Sequence, residues 1–430
     1  MTEDRPGPEG PPRRREATLT VSPGPDYNDL STEANMYDVL IVGSGPSGGQ
    51  LAYQLSSLGH STVVLEKHDR IGDHACCTGI IGRECFEAFS ISSSLVQFQA
   101  CSATFFPPTG PPLRLSKDAP QAYIVHRPTL DRTLAQRAQG AGAEFLTNSP
   151  VNNLILEDGG VRVQSRESGR EWQARAVVLA GGASSALPQK LGMGRIDDLA
   201  TGAQANDEVN GLKDVEVYFG LGTAPGFFAW LVPTTPGNGL AGLITRHQPG
   251  QFMQDFLERL FRDGKIASTQ VETSFGRIPL KPLPRTWGPR VMVVGDAAGQ
   301  VKPTTGGGIY YSLLGARAAA TVLHGALDTD DFSPGLFASY EREWKNQLGR
   351  ELQVGRWARK FYEKLSDPQV DRLFRFVKSS NIPQAMLDRE DFSFDWHAPS
   401  ILQALTGQPW PHLFQSMIGA TFPFMRRKNP

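Results

Sequence analysis

The chain lacks the features of a nucleic-acid-binding, membrane-spanning or secreted protein. Its 430 residues carry 43 lysines and arginines against 44 aspartates and glutamates, so there is no excess of basic charge for nucleic acid. No run reaches the roughly 18 consecutive apolar residues of a membrane-spanning helix. The first residues show no secretory signal, and we expect none.

Cysteine is also scarce. The four cysteines are Cys76, Cys77, Cys85 and Cys101, and the first three lie within ten residues of each other. None has the C-x-x-C spacing of a zinc ribbon or an iron–sulfur site, so we expect no metal. Clustered cysteines without a secretory signal, beside the nucleotide motif described next, favour a reducing cytoplasm.

The first of two glycine-rich motifs joins a strand to a helix. Val39 to Val42 is an apolar run typical of a buried parallel strand, and Gly43 to Gly48 follows with G-x-G-x-x-G spacing. These glycines permit a sharp turn, the approach of a diphosphate to the backbone, and close packing of the next helix. Glu66 ends a second strand, where an acid holds an unphosphorylated adenosine ribose. The predicted dinucleotide contacts are Gly43, Gly45, Ser47, Gly48, Glu66 and Lys67.

The second motif lies far along the chain. Val291 to Val294 is an apolar run, and it is followed by Gly295-Asp296-Ala297-Ala298 and by Gly306-Gly307-Gly308. Each motif alone is a modest signal. Two such motifs, far apart and in this order, indicate the two halves of one FAD site.

The pattern of elements predicts an α/β (α+β) fold. It comprises a Rossmann-like FAD-binding domain, an inserted antiparallel-sheet substrate domain and a helical C-terminal region. Residues 1–34 are rich in proline, contain Arg13-Arg14-Arg15, and are predicted to be a disordered tail. The predicted domain limits are 35–190 and 276–330 for FAD binding, 191–275 for the substrate sheet and 331–430 for the helices.

Strand-like segments support this division. A hairpin is predicted from residues 151–156 and 161–164, joined through Asp158-Gly159-Gly160. The substrate sheet is predicted from three segments separated by glycine and proline, at residues 215–219, 227–233 and 240–245.

On these motifs the chain resembles the geranylgeranyl reductase family, within the p-hydroxybenzoate hydroxylase-like FAD superfamily, from about residue 36 to 425. The stretch from Gly295 to Tyr311 is very close to the family's pattern. The resemblance implies that Asp296 binds the ribityl hydroxyls and that the glycine run opens a helix toward the flavin's pyrimidine edge. A helix N-terminus there stabilises negative charge on reduced flavin. The cofactor contacts implied in this way are Arg127, Gly295, Asp296, Gly306, Gly307, Gly308 and Ile309.

Two further segments carry the resemblance. Pro225 to Pro233 is similar to the family's P-x-x-Y-x-W-x-F-P stretch, which implies that Phe228 and Trp230 line a prenyl cavity. An aromatic core strand is the alternative for this segment. His74 to Gly79 resembles the family's C-x-x-G element, with Cys76 in that register and Cys77 in a shorter one. A thiol at this place either donates a proton in catalysis or packs against the flavin ring.

The resemblance implies an enzyme that saturates C=C bonds of an isoprenoid or lipid substrate. Reduced FAD would give the hydride, and Cys76, Cys77 or water would give the proton. The expected electron donor is a ferredoxin or reduced nicotinamide. An FAD-dependent monooxygenase or halogenase acting on an apolar substrate is the alternative, and a non-catalytic lipid carrier is another. Flavin hydroxylases usually carry Asp-Gly where this chain has Gly181-Gly182, which disfavours hydroxylation.

Two segments suggest peripheral contact with the inner face of the membrane. Phe414 to Met425 is apolar and precedes Arg426-Arg427-Lys428. In the other segment five apolar residues alternate with basic ones: Leu352, Val354, Trp357, Phe361 and Leu365. A core helix with a charged outer face is the alternative there. We expect a cytoplasmic protein and keep membrane contact as an added hypothesis.

Overall fold

Apolar runs and glycine turns form strands and helices, and the strands pair into three sheets. The computed structural model describes residues 36–165, 167–380, 389 and 393–406. The strands are β1 (Tyr37–Val42), β2 (Thr62–Leu65), β3 (Ile80–Gly82), β4 (Val96–Ala100), β5 (Ser102–Phe106), β6 (Leu113–Ser116), β7 (Ala122–Val125), β8 (Glu144–Leu146), β9 (Asn153–Leu156), β10 (Val161–Gln164), β11 (Glu171–Leu179), β12 (Leu199–Glu208), β13 (Val215–Tyr218), β14 (Ala229–Pro233), β15 (Asn238–Thr245), β16 (Thr273–Pro279), β17 (Trp287–Gly288) and β18 (Val291–Val293). The helices are α1 (Pro46–Ser57), α2 (Arg83–Ala88), α3 (Arg127–Gly140), α4 (Leu187–Lys190), α5 (Pro249–Arg262), α6 (Ile309–Thr329), α7 (Pro334–Tyr362), α8 (Asp367–Ser379) and α9 (Ala398–Thr406).

The first sheet has the predicted Rossmann-like centre. Its five parallel strands lie in the order β18-β11-β1-β2-β8, and the predicted hairpin β9-β10 pairs with the first half of β11. Val39 pairs with Ala176 on one side and with Thr62 on the other. The side chains of β1 are fully buried at Val39, Leu40 and Ile41, as expected for a strand covered on both faces. Because parallel strands share a direction, the turns after β1, β2 and β18 reach the same edge, where nucleotides bind.

The second sheet has seven strands, in the order β16-β12-β15-β14-β13-β5-β6. The three predicted segments are present as β13, β14 and β15, which pair antiparallel. The sheet also includes β5 and β6, from a segment that we placed in the first part of the FAD domain. β5 pairs in parallel with β13, with Val217 opposite Phe105. Helix α5 covers one face with Met253, Phe256, Leu257 and Leu260, and the other face is free to bound a cavity.

The helices after the second motif complete the fold. In α7, Leu352 and Val354 are buried, and Trp357 and Phe361 pack in a cluster with Leu365 and with residues of α8. Of the two alternatives for this segment, membrane contact or a core helix with a charged outer face, the packing favours the core helix. No helix in the described part of the chain is both long and apolar enough to cross a bilayer. The predicted tail at 1–34 and the segment from Phe414 to Met425 lie outside the described residues.

Candidate functional site

One cavity of about 1130 Å³ extends from the first glycine motif to the second sheet. Pockets for one small molecule usually measure about 300–1000 Å³, so this cavity lies just above the upper limit of that range. Two predicted site residues, Gly48 and Gly295, do not line it. The other predicted site residues all line it: Gly43, Gly45, Ser47, Glu66, Lys67, Cys76, Cys77, Arg127, Phe228, Trp230, Asp296, Gly306, Gly307, Gly308 and Ile309.

The first glycine motif has three different spatial requirements. Gly43 has a φ of +104°, and a Cβ there would lie 2.6 Å from the carbonyl oxygen of Ala180. A Cβ at Gly48 would lie 2.0 Å from the carbonyl oxygen of Gly43, so α1 packs on β1 without space for a side chain. A Cβ at Gly45, in contrast, would meet nothing within 4 Å. A side chain at Gly43 or Gly48 would therefore collide with the protein's own backbone, whereas a side chain at Gly45 would meet only the open space of the cavity.

Glu66 closes the turn from β2. Its Oε2 accepts hydrogen bonds from the amide and the hydroxyl of Ser44, at 3.0 and 2.7 Å. Its Oε1 accepts from the amide of His68 at 3.0 Å. The carboxylate is therefore fixed at the cavity edge, next to the glycine turn, where the sequence predicted a ribose contact.

The second motif presents an acid and a helix N-terminus to the same cavity. Asp296 follows β18, and a Cβ at Gly308 would lie 2.8 Å from its Oδ1. Burial raises the pKa of Asp296, while the positive charge of Arg127 and a hydrogen bond with Ser312 oppose the rise. Such a desolvated carboxyl is suited to accept hydroxyl hydrogen bonds from a polyol. Helix α6 starts at Ile309 with its free amides at this wall.

Arg127 is the first residue of α3 and not a surface arginine. Its Nε and Nη2 donate to the two carboxylate oxygens of Asp131 at 3.0 and 3.1 Å. Burial opposes the charge of the guanidinium, but Asp131 and the sulfur of Cys77 hold its pKa above the ordinary value. The sequence analysis did not predict Asp131 as a residue of the site. Its position four residues after Arg127 on a predicted helix is the signal that could have identified it.

The two adjacent cysteines face different parts of the wall. A Cβ at Gly276 of β16 would lie 3.2 Å from the Cβ of Cys76 and 3.6 Å from its Sγ, so Cys76 packs against the second sheet. Burial raises the pKa of the Cys76 thiol, against a hydrogen bond from Ser274. The Sγ of Cys77 accepts from the amide of Gly79 at 3.4 Å and lies beside Arg127. All four cysteines are free thiols.

Aromatic and aliphatic side chains of the second sheet form the remaining wall. The rings of Phe228 and Trp230 lie with their centroids 5.9 Å apart. The indole of Trp230 lies over Gly242, where a Cβ would be 2.5 Å from its Cζ2. Sequence reasoning missed six apolar residues of this wall: Phe105, Val217, Phe219, Ile244, Ile278 and Phe394. Alternation at 217 and 219 was a usable signal, but Phe394 lies in no regular element.

The residues present fit FAD. The open cradle at Gly45, the fixed carboxylate of Glu66, the desolvated Asp296 and the N-terminus of α6 line one cavity and supply the kinds of group that a dinucleotide requires. The lining also includes the apolar wall, so a cofactor and an apolar molecule would be neighbours.

Comparisons with known proteins agree with this geometry. Residues 116–202 match the family of FAD dependent oxidoreductases, and residues 41–79 match the NAD(P)-binding Rossmann-like domain family. Digeranylgeranylglycerophospholipid reductase 2 of Methanothermobacter thermautotrophicus is 30% identical over 367 residues, which cover 80% of this chain and 93% of that protein.

Two solved structures show the shared fold. A geranylgeranyl bacteriochlorophyll reductase-like protein of Thermoplasma acidophilum is 24% identical, with a TM-score of 0.78 and coverage of 90% of this chain and 99% of that chain. A variant of the halogenase PltM in complex with FAD is 16% identical, with a TM-score of 0.64 and coverage of 92% of this chain and 93% of that chain.

Proposed function

This chain belongs to the geranylgeranyl reductase family of FAD-dependent oxidoreductases, and we propose that it saturates C=C bonds in the isoprenoid chains of a lipid. The observation that carries the proposal is that the two glycine motifs, the two cysteines and the apolar wall all border one cavity. An isoprenoid chain has no polar group along its length. Its recognition therefore requires aromatic and aliphatic surface of the kind that Phe228 and Trp230 provide.

The cofactor would be held by the residues of both motifs. The diphosphate would lie at the N-terminus of α1, held by Gly43, Gly45, Ser47 and Gly48, and the adenosine side would be held by Glu66 and Lys67. The rest of the cofactor would be held by Arg127 and by the second motif: Gly295, Asp296, Gly306, Gly307, Gly308 and Ile309. Bound FAD, once reduced, supplies the hydride for the double bond.

We assign the accompanying proton to Cys76. This thiol packs against Gly276 of the second sheet, on the substrate side, and burial keeps it protonated by raising its pKa. Cys77 lies next to Arg127 and is proposed to hold that guanidinium in place. The proton of the Cys76 thiol goes to one alkene carbon while the other accepts the hydride, so the bond gains two hydrogen atoms. The thiolate left behind recovers a proton from water.

Anaerobic turnover tests the reaction. Holoenzyme reduced with dithionite is mixed with a geranylgeranyl lipid, and the product is analysed by mass spectrometry. We expect a gain of two hydrogen atoms for each saturated bond without oxygen. A product that forms only with oxygen would instead indicate the monooxygenase or halogenase alternative. Mutation of Cys76 and Cys77 without loss of any redox turnover would favour a non-catalytic lipid carrier.

The role of each cysteine is tested by substitution. Cys76→Ser is expected to lower the rate of saturation by about 10²–10⁴-fold, the usual contribution of a positioned acid, without loss of bound FAD. Cys77→Ser serves as the matched variant, because it changes the neighbouring thiol by the same single atom. It is expected to affect FAD retention more than the rate of proton transfer. Equal rate losses for both variants would contradict the assignment.

The electron donor and the location are further proposals. We propose that a ferredoxin or reduced nicotinamide reduces the flavin, and that the enzyme is cytoplasmic with peripheral contact at the inner face of the membrane. The support for this contact is the class of substrate, since a lipid must be drawn from a bilayer. Stopped-flow measurement of flavin reduction by a ferredoxin and by reduced nicotinamide distinguishes the two electron donors. Flotation with anionic liposomes, compared with neutral ones, tests the membrane contact.

A further inference from the structure

A buried ion pair joins the two walls of the cavity. Lys302 belongs to the loop between β18 and α6, and its Nζ donates to Oδ1 of Asp395 at 2.7 Å. The two side chains are only 7% and 2% exposed. Lys302 is also hydrogen-bonded to the loop that contains Gly306 to Gly308, called the glycine loop below. The amide of Lys302 donates to the carbonyl of Gly307 at 3.0 Å, and its carbonyl accepts from the amide of Gly306 at 2.8 Å. Any movement of this lysine therefore moves the loop.

Asp395 belongs to a short segment, Ser393–Ala398, that is tied to the rest of the fold at several points. The hydroxyl of Tyr311 donates to the carbonyl of Asp395 at 3.1 Å, and the indole of Trp396 donates to Glu84 at 2.5 Å. The amides of His397 and Ala398 donate to Glu351 at 2.9 and 2.8 Å. These contacts place Phe394 in the cavity wall, in a cluster with Trp230, Ile80 and Val232.

The surroundings of the Lys302–Asp395 ion pair restrict its geometry. In the described part of the chain Oδ2 of Asp395 has no hydrogen-bond partner. It fits against Gly82, where a Cβ would lie 2.1 Å away. The ammonium group of Lys302 also lies 4.8 Å from the centre of the Phe394 ring, within the range of a cation–π interaction. Two buried charges with so few other partners hold each other in register, because separation would leave each charge desolvated and unpaired.

We propose that the Lys302–Asp395 pair is a positioning device that sets Phe394 against the glycine loop, and that Phe394 limits the length of isoprenoid chain the cavity accepts. The proposal rests on the proposed function, since it concerns the substrate wall of the same site. Lys302 and Asp395 act through Phe394 and the loop and touch no reacting atom. Loss of one charge of the pair therefore alters both FAD retention and chain selectivity, whereas a change at Phe394 alters selectivity alone.

The experiment measures binding, independently of turnover. Oxidised holoenzyme is titrated with farnesol and with geranylgeraniol, and the shift in flavin absorbance gives a Kd for each. Phe394→Ala is expected to change the ratio of the two Kd values in favour of the longer alcohol, by about fourfold for each methylene newly buried. Phe98→Ala is the matched control, because Phe98 belongs to the same cluster but does not line the cavity. It should leave the ratio unchanged.

The charge variants test the coupling. Asp395→Asn and Lys302→Met are expected to shift the Kd ratio in the same direction as Phe394→Ala and to weaken FAD retention as well. If these variants fail to fold, the double substitution Lys302→Met with Asp395→Leu restores an uncharged, filled contact. It should keep FAD bound and still show the shifted ratio.

Three results distinguish the inferences. If wild-type holoenzyme binds neither alcohol, the proposed function and this proposal both fail. If it binds them but Phe394→Ala and Phe98→Ala give the same ratio, only the role of Phe394 is refuted. If the double variant has the wild-type ratio, the ion pair contributes stability and does not position the wall.

Discussion

The two glycines Gly45 and Gly48 allow a sharp test of the cofactor site, because the same substitution should have opposite consequences at positions three residues apart. At Gly48 an alanine Cβ would lie 2.0 Å from the carbonyl oxygen of Gly43, a backbone atom that moves only with β1. At Gly45 the Cβ would meet nothing within 4 Å. The backbone of Gly45 has φ −63° and ψ −176°, which alanine adopts without strain.

The expected magnitudes follow from these distances. Gly48→Ala must push α1 away from β1, so we expect the free energy of unfolding to fall by about 3 kcal/mol or more. Gly45→Ala should leave the apoprotein within about 0.5 kcal/mol of wild type, since nothing in the fold is displaced. In the holoprotein its methyl group occupies the cradle proposed for the diphosphate. A steric cost of about 1–3 kcal/mol there corresponds to a roughly 5- to 150-fold weaker Kd for FAD.

Two measurements on the same preparations decide the outcome. Urea unfolding of each apoprotein gives stability, and quenching of flavin fluorescence on titration with FAD gives Kd. The reasoning predicts a stable Gly45→Ala protein with poor FAD binding and a destabilised Gly48→Ala protein. Wild-type FAD affinity for Gly45→Ala would refute the placement of the diphosphate at this turn. A loss of apoprotein stability equal to that of Gly48→Ala would refute the open cradle.

Three further predictions concern stability and the cavity walls. Burial, and secondarily the charge of Lys302, lowers the pKa of His397 from 6.5 to about 4. The neutral ring therefore contributes stability above pH 6.5, and this stability is lost as the pH falls toward 4. The loss, at most about 3 kcal/mol in the free energy of unfolding, should be absent in His397→Asn when unfolding is measured as a function of pH. Because burial raises the pKa of Asp296, its charge destabilises the apoprotein at neutral pH; Asp296→Asn should raise the thermal midpoint of the apoprotein while weakening FAD binding, and a lowered midpoint would contradict this explanation. Gly242→Ala would place a Cβ 2.5 Å from Trp230; a loss of about 1–3 kcal/mol in unfolding free energy, together with weaker geranylgeraniol binding, is expected, and unchanged binding would show that the indole does not form the wall.

Much of the nucleotide-binding half could be predicted from the sequence, because its signals are local. A β-branched run, a glycine turn and a helix-spaced apolar stripe each depend on a few neighbouring residues. Strand β1 begins two residues before the predicted Val39 and ends at Val42 as predicted, and β2 ends one residue before Glu66. The FAD cofactor and the oxidoreductase class are confirmed by the comparisons. The roles of individual site residues stay predictions.

The second sheet was harder because its pairings are long-range. β12 (Leu199–Glu208) has alanine, glycine and acidic residues where a strand usually has β-branched ones, yet it lies inside the sheet, paired on both sides with β15 and β16. Its partners, and not its own propensity, make it a strand. Likewise, no local pattern joins β5 to β13 or brings Phe394 to the cavity wall, because tertiary contacts alone decide these positions.

The order of pairing in the first sheet has a consequence for synthesis on the ribosome. β18 pairs with β11 through Val177 and Val291, although about 110 residues of the second sheet and its connections separate them. At about 5–20 residues per second, the end of β11 would wait roughly 6 to 20 s for this neighbour. During that interval its apolar edge is available to another chain. Nascent chains stalled before Val291 should therefore be the most prone to aggregate, and a chaperone that binds there would act on β11.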